Sequence, residues 1–319
     1  MNLTTRTLVR EVMSMAKLLP VTILSAGVLL GSGCRLDVDG QAYIEREQKR
    51  FPIEAAGTIA DLDLKTFSGR IEVISWDRPE VLVEIEKRGE DKEAVSKIAV
   101  TSEQKGSKIS IDVRHSGRTT FVGIGRFTSP SARLIVSVPR KCNIVARSGD
   151  GSIALERVEG QLDLRTDDGS IRVVESRGQL LAESRDGSMT LDDVTGHVEA
   201  RTNDGSVRVS GTPGVLKVRT GDGSVSLRIR DGAVMTDDWM VTTGDGSVTV
   251  ELPKDFSAMI EADPGSDGRV RSELVLTNAT GAGADGKRRE RGAMSGQLGA
   301  GGKRFTLRTG DGTIRLTNY

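Results

Sequence analysis

The sequence is poor in three residue types that usually carry chemistry or stabilise small domains. It has 2 cysteines and 2 histidines, and aromatic residues make up only 3% of its 319 residues. Two cysteines cannot build a disulfide framework, so burial and backbone pairing must hold the fold together. His115 and His197 lie far apart in the sequence, which excludes a histidine-rich metal centre and leaves little imidazole for acid–base catalysis.

The chain also lacks an excess of charge of either sign, with 45 Lys+Arg against 45 Asp+Glu. Because no basic excess is present to neutralise phosphates, we expect no nucleic-acid partner. A core with few aromatics must be filled by Val, Leu and Ile, and the 38 glycines indicate many turns. This combination predicts an all-β fold.

The first 33 residues have the features of a bacterial export signal. The apolar run over 18–30 is too short to span a bilayer comfortably as a helix. It ends in LLGSGC, which resembles a lipoprotein box, although Gly31 stands where leucine is usual. We therefore predict a signal peptide over 1–33 and a lipid anchor on Cys34. The alternative is cleavage as an ordinary secretory signal.

The residues after the signal predict a location and a domain boundary. Cys34 is followed by Arg35 and not by the aspartate that usually retains lipoproteins at the inner membrane, which favours the outer membrane. The stretch 34–50 is polar and predicts a tether, and 51–319 predicts the folded domain. A lipidated Cys34 leaves Cys142 without an intrachain partner, so we interpret Cys142 as a small apolar core residue.

A short Asp-Gly phrase recurs at a fixed spacing. Gly151, Gly169, Gly187, Gly205 and Gly223 are 18 residues apart, and other glycines lie midway between them. The second and fourth residues after each glycine are apolar, as at Ile153 and Leu155, with polar residues between. Alternation with a period of two indicates half-buried strands, so each nine-residue unit predicts one corner and one strand.

Two architectures fit this repeat. Uniform spacing favours a β-solenoid with 18-residue, two-strand rungs, regular over about 148–250, because stacking requires the corners to align. Asp-Gly is also a hairpin signal, which leaves an antiparallel β-meander or sandwich as the alternative.

The Asp-Gly phrases themselves are predicted to be structural corners and not catalytic or cofactor sites. The residue before each Asp is often Gly or Asn, which predicts a positive φ there. The preceding Ser or Thr predicts a ladder of hydroxyls, and arginines such as Arg147, Arg165 and Arg201 are expected to balance the aspartates without a metal. The corner residues are Asp150, Gly151, Asp168, Gly169, Asp186, Gly187, Asp204, Gly205, Asp222, Gly223, Asp245, Gly246, Asp311 and Gly312.

A cation is the alternative explanation for the aspartates. Carboxylates on stacked rungs about 4.8 Å apart repel one another, and bound Ca²⁺ would offset this. Ca²⁺-binding β-rolls, however, repeat G-G-x-G-x-D, whereas here the Asp precedes a single Gly and occurs only at alternate corners.

The order of several motifs resembles a known family. FSGRIEVISWDRPEVLVEIEK, LIVSVPR, the repeated TGDGSV and the closing LGAGGKRFTLRTGDGTIRL together resemble the adhesin-like proteins that carry domain of unknown function 4097, over most of 51–319. The resemblance implies an extracytoplasmic β-strand-repeat protein without an assigned activity.

These observations predict a non-enzymatic, lipid-anchored protein of the cell envelope that acts as an interaction or scaffold module. Its expected partners are membrane lipid through Cys34 and envelope proteins or glycans. The alternatives are a Ca²⁺-stabilised β-roll and a polysaccharide-acting β-helix enzyme, since some β-solenoids cleave polysaccharides with carboxylates.

Overall fold

A computed structural model describes residues 42–53, 58–117, 129–281 and 290–319. The predicted signal peptide and Cys34 lie outside these ranges. Nearly all of the regular structure is β-strand, so the all-β prediction is confirmed. No helix within the described ranges is long and apolar enough to cross a membrane.

The first half of the described chain contains a single short helix, α1 (Lys92–Ser96), which Asp91 caps with its carboxylate. The strands of this half are β1 (Tyr43–Pro52), β2 (Ala60–Thr66), β3 (Ile71–Trp76), β4 (Glu80–Gly89), β5 (Ile98–Lys105), β6 (Lys108–His115), β7 (Ser131–Pro139), β8 (Cys142–Ser148), β9 (Ile153–Glu156), β10 (Glu159–Thr166) and β11 (Ile171–Val174).

The second half of the described chain consists of strands and their connections. These strands are β12 (Arg177–Ser184), β13 (Met189–Arg201), β14 (Val207–Arg219), β15 (Val225–Ile229), β16 (Trp239–Thr243), β17 (Val248–Leu252), β18 (Ala258–Asp263), β19 (Arg269–Ser272), β20 (Thr277–Gly281), β21 (Glu290–Arg291), β22 (Met294–Leu298), β23 (Arg304–Thr309) and β24 (Thr313–Asn318).

The strands form two hydrogen-bonded ladders, which meet at the Asp-Gly corners. Ladder 1 contains the strands before these corners, in the spatial order β5, β6, β2, β8, β10, β12, β13, β14, β16, β23, β18, β22 and β20. Ladder 2 contains the strands after them, in the order β1, β4, β7, β3, β9, β11, β13, β14, β15, β17, β24, β19 and β21. The long strands β13 and β14 take part in both ladders.

Repeat strands pair in parallel and in register, one period apart. Leu162 pairs with Leu180 in ladder 1, and Ile153 pairs with Ile171 in ladder 2. An antiparallel meander would pair consecutive strands in opposite directions, so this alternative is wrong for the strands from β8 to β17. The apolar residues at the second and fourth positions after each glycine, from Ile153 to Leu227, are all buried in one common core.

The period breaks earlier than the sequence indicated, between β15 and β16. Val207 still pairs with Val225, 18 positions later, but Val225 pairs with Val248. Residues 230–238, here called the insertion, connect β15 to β16 and contain the five residues by which this repeat is longer. The aromatic part of the core begins directly after it, where the Trp239 ring lies 5.3 Å from Phe305 and 5.5 Å from Phe256 between ring centroids.

The first and last repeat units of the chain lie inside the ladders and not at their ends. β2 lies between β6 and β8, and β23 lies between β16 and β18. The RTGDGTIRL segment predicted as the last rung is therefore covered by the β18–β19 segment, which precedes it in the chain. Antiparallel strands continue the ladders beyond the parallel part at both ends.

The predicted tether over 34–50 is wrong for residues 43–50, because they belong to β1. This strand pairs antiparallel with β4 along its whole length. Its charged side chains, which made the segment look like a linker, are fixed by ion pairs such as that between Lys87 and Glu47, 3.1 Å apart. Lys49 and Gln104 also connect β1 to β5 by hydrogen bonds, so β1 helps to cover one end of the core.

Candidate interaction surface

The Asp-Gly corners bring the backbones of successive rungs into very close contact. A Cβ atom on Gly187 would lie 1.8 Å from the carbonyl oxygen of Gly169, and one on Gly205 would lie 2.1 Å from that of Gly187. The same relation links the corner glycines from Gly69 through Gly312 in the spatial order of the rungs. Glycine is required here because any side chain would overlap the neighbouring backbone.

The backbone angles at these corners differ from the prediction. None of Gly149, Gly221, Gly244 and Gly310, the glycines before the Asp, has a positive φ, so that prediction is wrong. At Gly149 the reason for glycine is close approach, since a Cβ there would lie 2.4 Å from the carbonyl oxygen of Phe67. Asp167, Arg185 and Asn203 occupy the equivalent position at other corners, so glycine is not required at all of them.

The intermediate corners contain the left-handed residues. Gly160, Gly178 and Gly196 have φ values of 154°, 117° and 107°. Arg157, Glu175 and Asp193, each three residues earlier, have φ between 53° and 58° although they carry side chains. Such non-glycine residues are strained by about 1–2 kcal/mol each, so the rung geometry imposes this conformation against local preference.

The predicted hydroxyl ladder exists as a series of side chain to backbone bridges. Thr166 Oγ1 donates to the carbonyl of Gly151 at 2.8 Å and accepts from the Gly169 N–H at 3.2 Å. Ser184 makes the equivalent pair of bonds one rung later. Each hydroxyl is buried and connects its own corner to the preceding one, which satisfies polar backbone groups that water cannot reach.

The predicted balance between the arginine and aspartate columns is wrong. Arg165 binds Asp163 at 2.8 Å and Glu183 at 3.2 Å, and Arg201 also binds Glu183. Arg165 and Asp163 are two residues apart in one strand, so both point outward from ladder 1, whereas the corner aspartates lie beyond the turn. The hydrogen bond that Arg165 donates to Asp163, aided by the charges of Asp163 and Glu183, raises the pKa of Arg165 further above its usual value.

The corner aspartates are all exposed, and most of them have no cationic partner among the described residues. Arg185 is the exception, since it contacts Asp168 at 2.8 Å and Asp186 at 3.5 Å. Elsewhere in the described ranges, no ion pair involves Asp150, Asp204, Asp222, Asp245 or Asp311, and no group of three His, Cys, Asp or Glu side chains is placed to hold a metal ion. The result is a line of exposed carboxylates that follows the corners.

A second line of polar side chains, on ladder 2, contains three exposed arginines. Arg172, Thr190, Arg208, Ser226, Thr249 and Arg315 lie opposite one another in register on adjacent strands. Within the described part of the chain, Arg172, Arg208 and Arg315 make no ion pair, as is also true of Arg219 and Arg308 on ladder 1. These guanidinium groups are available to a partner.

Three residues singled out in the sequence have no part in these surfaces. Cys142 is fully buried, as expected for a core residue, and burial raises the pKa of its thiol to about 12. His115 in β6 and His197 in β13 belong to strands separated by four others in ladder 1, so they do not form a joint site. The His115 ring stacks on Phe67 instead.

The sequence matches the family described as Toastrack DUF4097 over residues 59–317. The chain therefore belongs to this family, and the predicted resemblance is confirmed. A comparison with curated proteins finds no match.

A search of solved structures finds distant matches, three of which are described here. A candidate cell adhesion protein from Clostridium sporogenes is 13% identical, with 87% of this chain and 100% of that chain covered and a TM-score of 0.28. A candidate adhesin from Bacteroides fragilis is 8% identical, with 86% and 97% covered and a TM-score of 0.35. A candidate lipid binding protein from Parabacteroides distasonis is 13% identical, with 89% and 99% covered and a TM-score of 0.40. These similarities are too distant to assign a ligand.

Proposed function

We propose that the protein is a lipid-anchored β-solenoid of the bacterial cell envelope that acts, without catalysis, as an adhesin-like interaction or scaffold module. One observation carries the proposal. Exposed charged side chains lie in lines along the ladders, namely the aspartates that recur at each Asp-Gly corner and the arginines at 172, 208 and 315, which recur along one line of ladder 2 with Thr or Ser between them. Such lines suit contact with an extended or repetitive partner, because one weak contact can recur along the surface.

The repeated corner residues support a role without catalysis. The corner hydroxyls and glycines are buried and connect the backbones of neighbouring rungs. Thr166, for example, bonds both to the Gly151 carbonyl and to the Gly169 N–H. A catalytic group has no reason to recur at each rung, whereas a stacking contact must recur. We therefore interpret the abundant Ser, Thr and Gly as architecture and the exposed charges as the contact surface.

Anchoring at Cys34 would place this surface outside the cytoplasm. The proposed lipid follows a signal peptide over 1–33, and β1 begins at Tyr43, so only a short segment separates the anchor from the folded domain. The ladder end that contains β1 would therefore lie close to the membrane, in the outer membrane if Arg35 acts as the sorting residue.

The anchoring is tested by fractionation of bacteria that express the full chain or Cys34→Ala. We expect the unaltered chain in the membrane fraction, labelled by a fatty-acid analogue, and the variant in the soluble extracytoplasmic fraction. Cys142→Ala is the matched control, since it removes the other cysteine and should leave anchoring unchanged. Recovery of the unaltered, unlabelled chain in the cytoplasm would contradict the proposal.

The exposed line of corner aspartates supports a second candidate, a β-roll stabilised by Ca²⁺. Carboxylates repeated on adjacent strands repel one another, and a divalent cation would relieve this repulsion. The glycine contacts and hydroxyl bridges described above stabilise the corners without an ion, so we favour the metal-free interpretation.

A further inference from the structure

A recess lies beside the insertion over 230–238. A cleft of about 760 Å³ opens there on ladder 2, within the size range of small-ligand sites. Arg208 and Ser226 line it from β14 and β15, Arg230 and Asp231 from the insertion, and Glu251 and Tyr319 from β17 and the segment after β24.

The insertion side of the cleft is held in place by hydrogen bonds and ion pairs. The Arg230 N–H donates to the Gly211 carbonyl at 2.8 Å. The first residue of the insertion is therefore still hydrogen-bonded to β14, and the chain departs from ladder 2 after it. The Arg230 guanidinium then reaches Asp192 at 3.1 Å and Asp193 at 3.0 Å. Because its charge is already paired, the Arg230 side chain is held in a fixed position at the edge of the cleft and is not available to bind an anion.

Tyr319 supplies an aromatic surface to the cleft. Its N–H donates to the Leu252 carbonyl at 3.2 Å, and its hydroxyl donates to the Ile229 carbonyl at 2.8 Å. The Arg228 guanidinium lies 5.2 Å from the ring centroid, in a cation–π contact. With both ends bonded, the ring has a fixed orientation, and 41% of the residue remains exposed.

Arg208 is the cation in the cleft that remains available. It is exposed and lies between Thr190 and Ser226 in register, and its guanidinium has no hydrogen-bond or ion-pair partner among the residues that the structure describes. Arg228, by comparison, has Glu251 at 3.7 Å. An unpaired guanidinium is suited to bind a carboxylate through two parallel hydrogen bonds.

We propose that this cleft binds an acidic saccharide unit of a glycan. Arg208 would hold the sugar carboxylate, Ser226 and Glu251 would bond sugar hydroxyls, and the Tyr319 ring would pack against the apolar face of the sugar. Asp192, Asp231 and Glu251 around the cleft disfavour a densely charged polyanion and favour a ligand with one acid group and many hydroxyls. The inference deepens the proposed function and rests on it.

The test is isothermal titration of the full chain, purified in detergent, with 3′-sialyllactose, which has a single acid group, as the acidic probe and lactose as the neutral one. We expect binding of the acidic probe only, weakened about tenfold or more in Arg208→Gln, because a charged hydrogen-bond pair is lost. Arg172→Gln is the matched control, an equally exposed arginine of the same line that lies outside the cleft, and should change affinity less than twofold. Tyr319→Ala should weaken binding, and Tyr319→Phe should retain it.

Several outcomes would overturn the inference. One is that 3′-sialyllactose does not bind, and another is that lactose binds equally well. A third is an equal loss of affinity in Arg172→Gln and Arg208→Gln, which would indicate diffuse charge attraction. Binding of phosphatidylglycerol vesicles that depends on Arg208, without binding of the sugar, would assign the cleft to lipid and also overturn it. Binding to isolated envelope fractions is measured in parallel. If that binding persists while the cleft fails, the proposed function survives without this ligand.

Discussion

The two kinds of corner in this protein both use glycine, but for different physical reasons. At the Asp-Gly corner, Gly187 has an ordinary φ, and the neighbouring rung leaves no space for a side chain. At the intermediate corner, Gly178 has a φ of 117° and also lies against Gly160, so conformation and space both require glycine. Hydroxyl bridges support the Asp-Gly corner, whereas residues strained at positive φ, such as Glu175, precede the intermediate one.

The comparison shows why the Asp-Gly phrase repeats so faithfully. Two of its positions are fixed by contact with the neighbouring rung, namely the hydroxyl and the glycine after the Asp, whereas the residue before the Asp varies among Gly, Asp, Arg and Asn. The intermediate corner tolerates Arg, Glu and Asp at equivalent positions because strain there can be offset by stacking elsewhere. Repetition of the phrase therefore reflects architecture.

The largest effect should come from a methyl group at the Asp-Gly corner. In Gly187→Ala the new Cβ would lie 1.8 Å from the Gly169 carbonyl oxygen, so the backbones of two rungs must separate. We expect a loss of about 3 kcal/mol or more in the free energy of unfolding, measured by urea titration. Gly232→Ala is the control, because φ is 80° there but no atom lies within 4 Å, and it should lose about 1 kcal/mol. Equal losses would contradict the role of close approach.

A smaller effect is expected from removal of one hydroxyl bridge. Thr202→Val keeps the shape of the side chain but leaves the Gly187 carbonyl and the Gly205 N–H without the hydroxyl that binds them at 3.1 Å and 3.3 Å. The expected loss is about 1–3 kcal/mol in the same titration. Thr190→Val, on the outer surface of ladder 2, should change stability by less than about 0.5 kcal/mol. A neutral Thr202→Val would show that the bridges add nothing.

The smallest effect, and one of opposite sign, should occur at the intermediate corner. Glu175 has a φ of 53°, so Glu175→Gly relieves strain and should stabilise the fold by about 0.5 kcal/mol after the entropy cost of glycine. The same change at Glu156, in the regular strand β9, should destabilise by about 1 kcal/mol. Loss of stability in both variants would mean that the Glu175 conformation is not strained.

The parts of the fold that follow from the regular spacing of the glycines could be predicted from the sequence. Glycines 18 residues apart predicted that Ile153 would align with Ile171, and it does. Ion pairs were misassigned because Arg165 is close to Asp168 in sequence, whereas strand alternation places Asp163 on its side of the sheet. The insertion of one rung between two others, as with β2 between β6 and β8, depends on long-range pairing that no local pattern encodes.

The candidate sites also combine features that the local sequence predicts with features that depend on long-range contacts. A longer spacing from Gly223 to Gly246 marks the insertion in the sequence, but nothing local predicts that Tyr319 crosses to Arg228 and completes a cleft. The left-handed conformation of Arg157 and Glu175 was also inaccessible, because neither residue type favours it.

The claim that the Asp-Gly corners are structural is tested most directly by the melting temperature of the full chain in detergent with Ca²⁺ and with EDTA. If glycine contacts and hydroxyl bridges hold the corners, the two melting temperatures should agree within about 1 °C, since no ion contributes to the folded state. A rise of about 5 °C or more with Ca²⁺ would show that the line of aspartates binds the cation and would contradict this account.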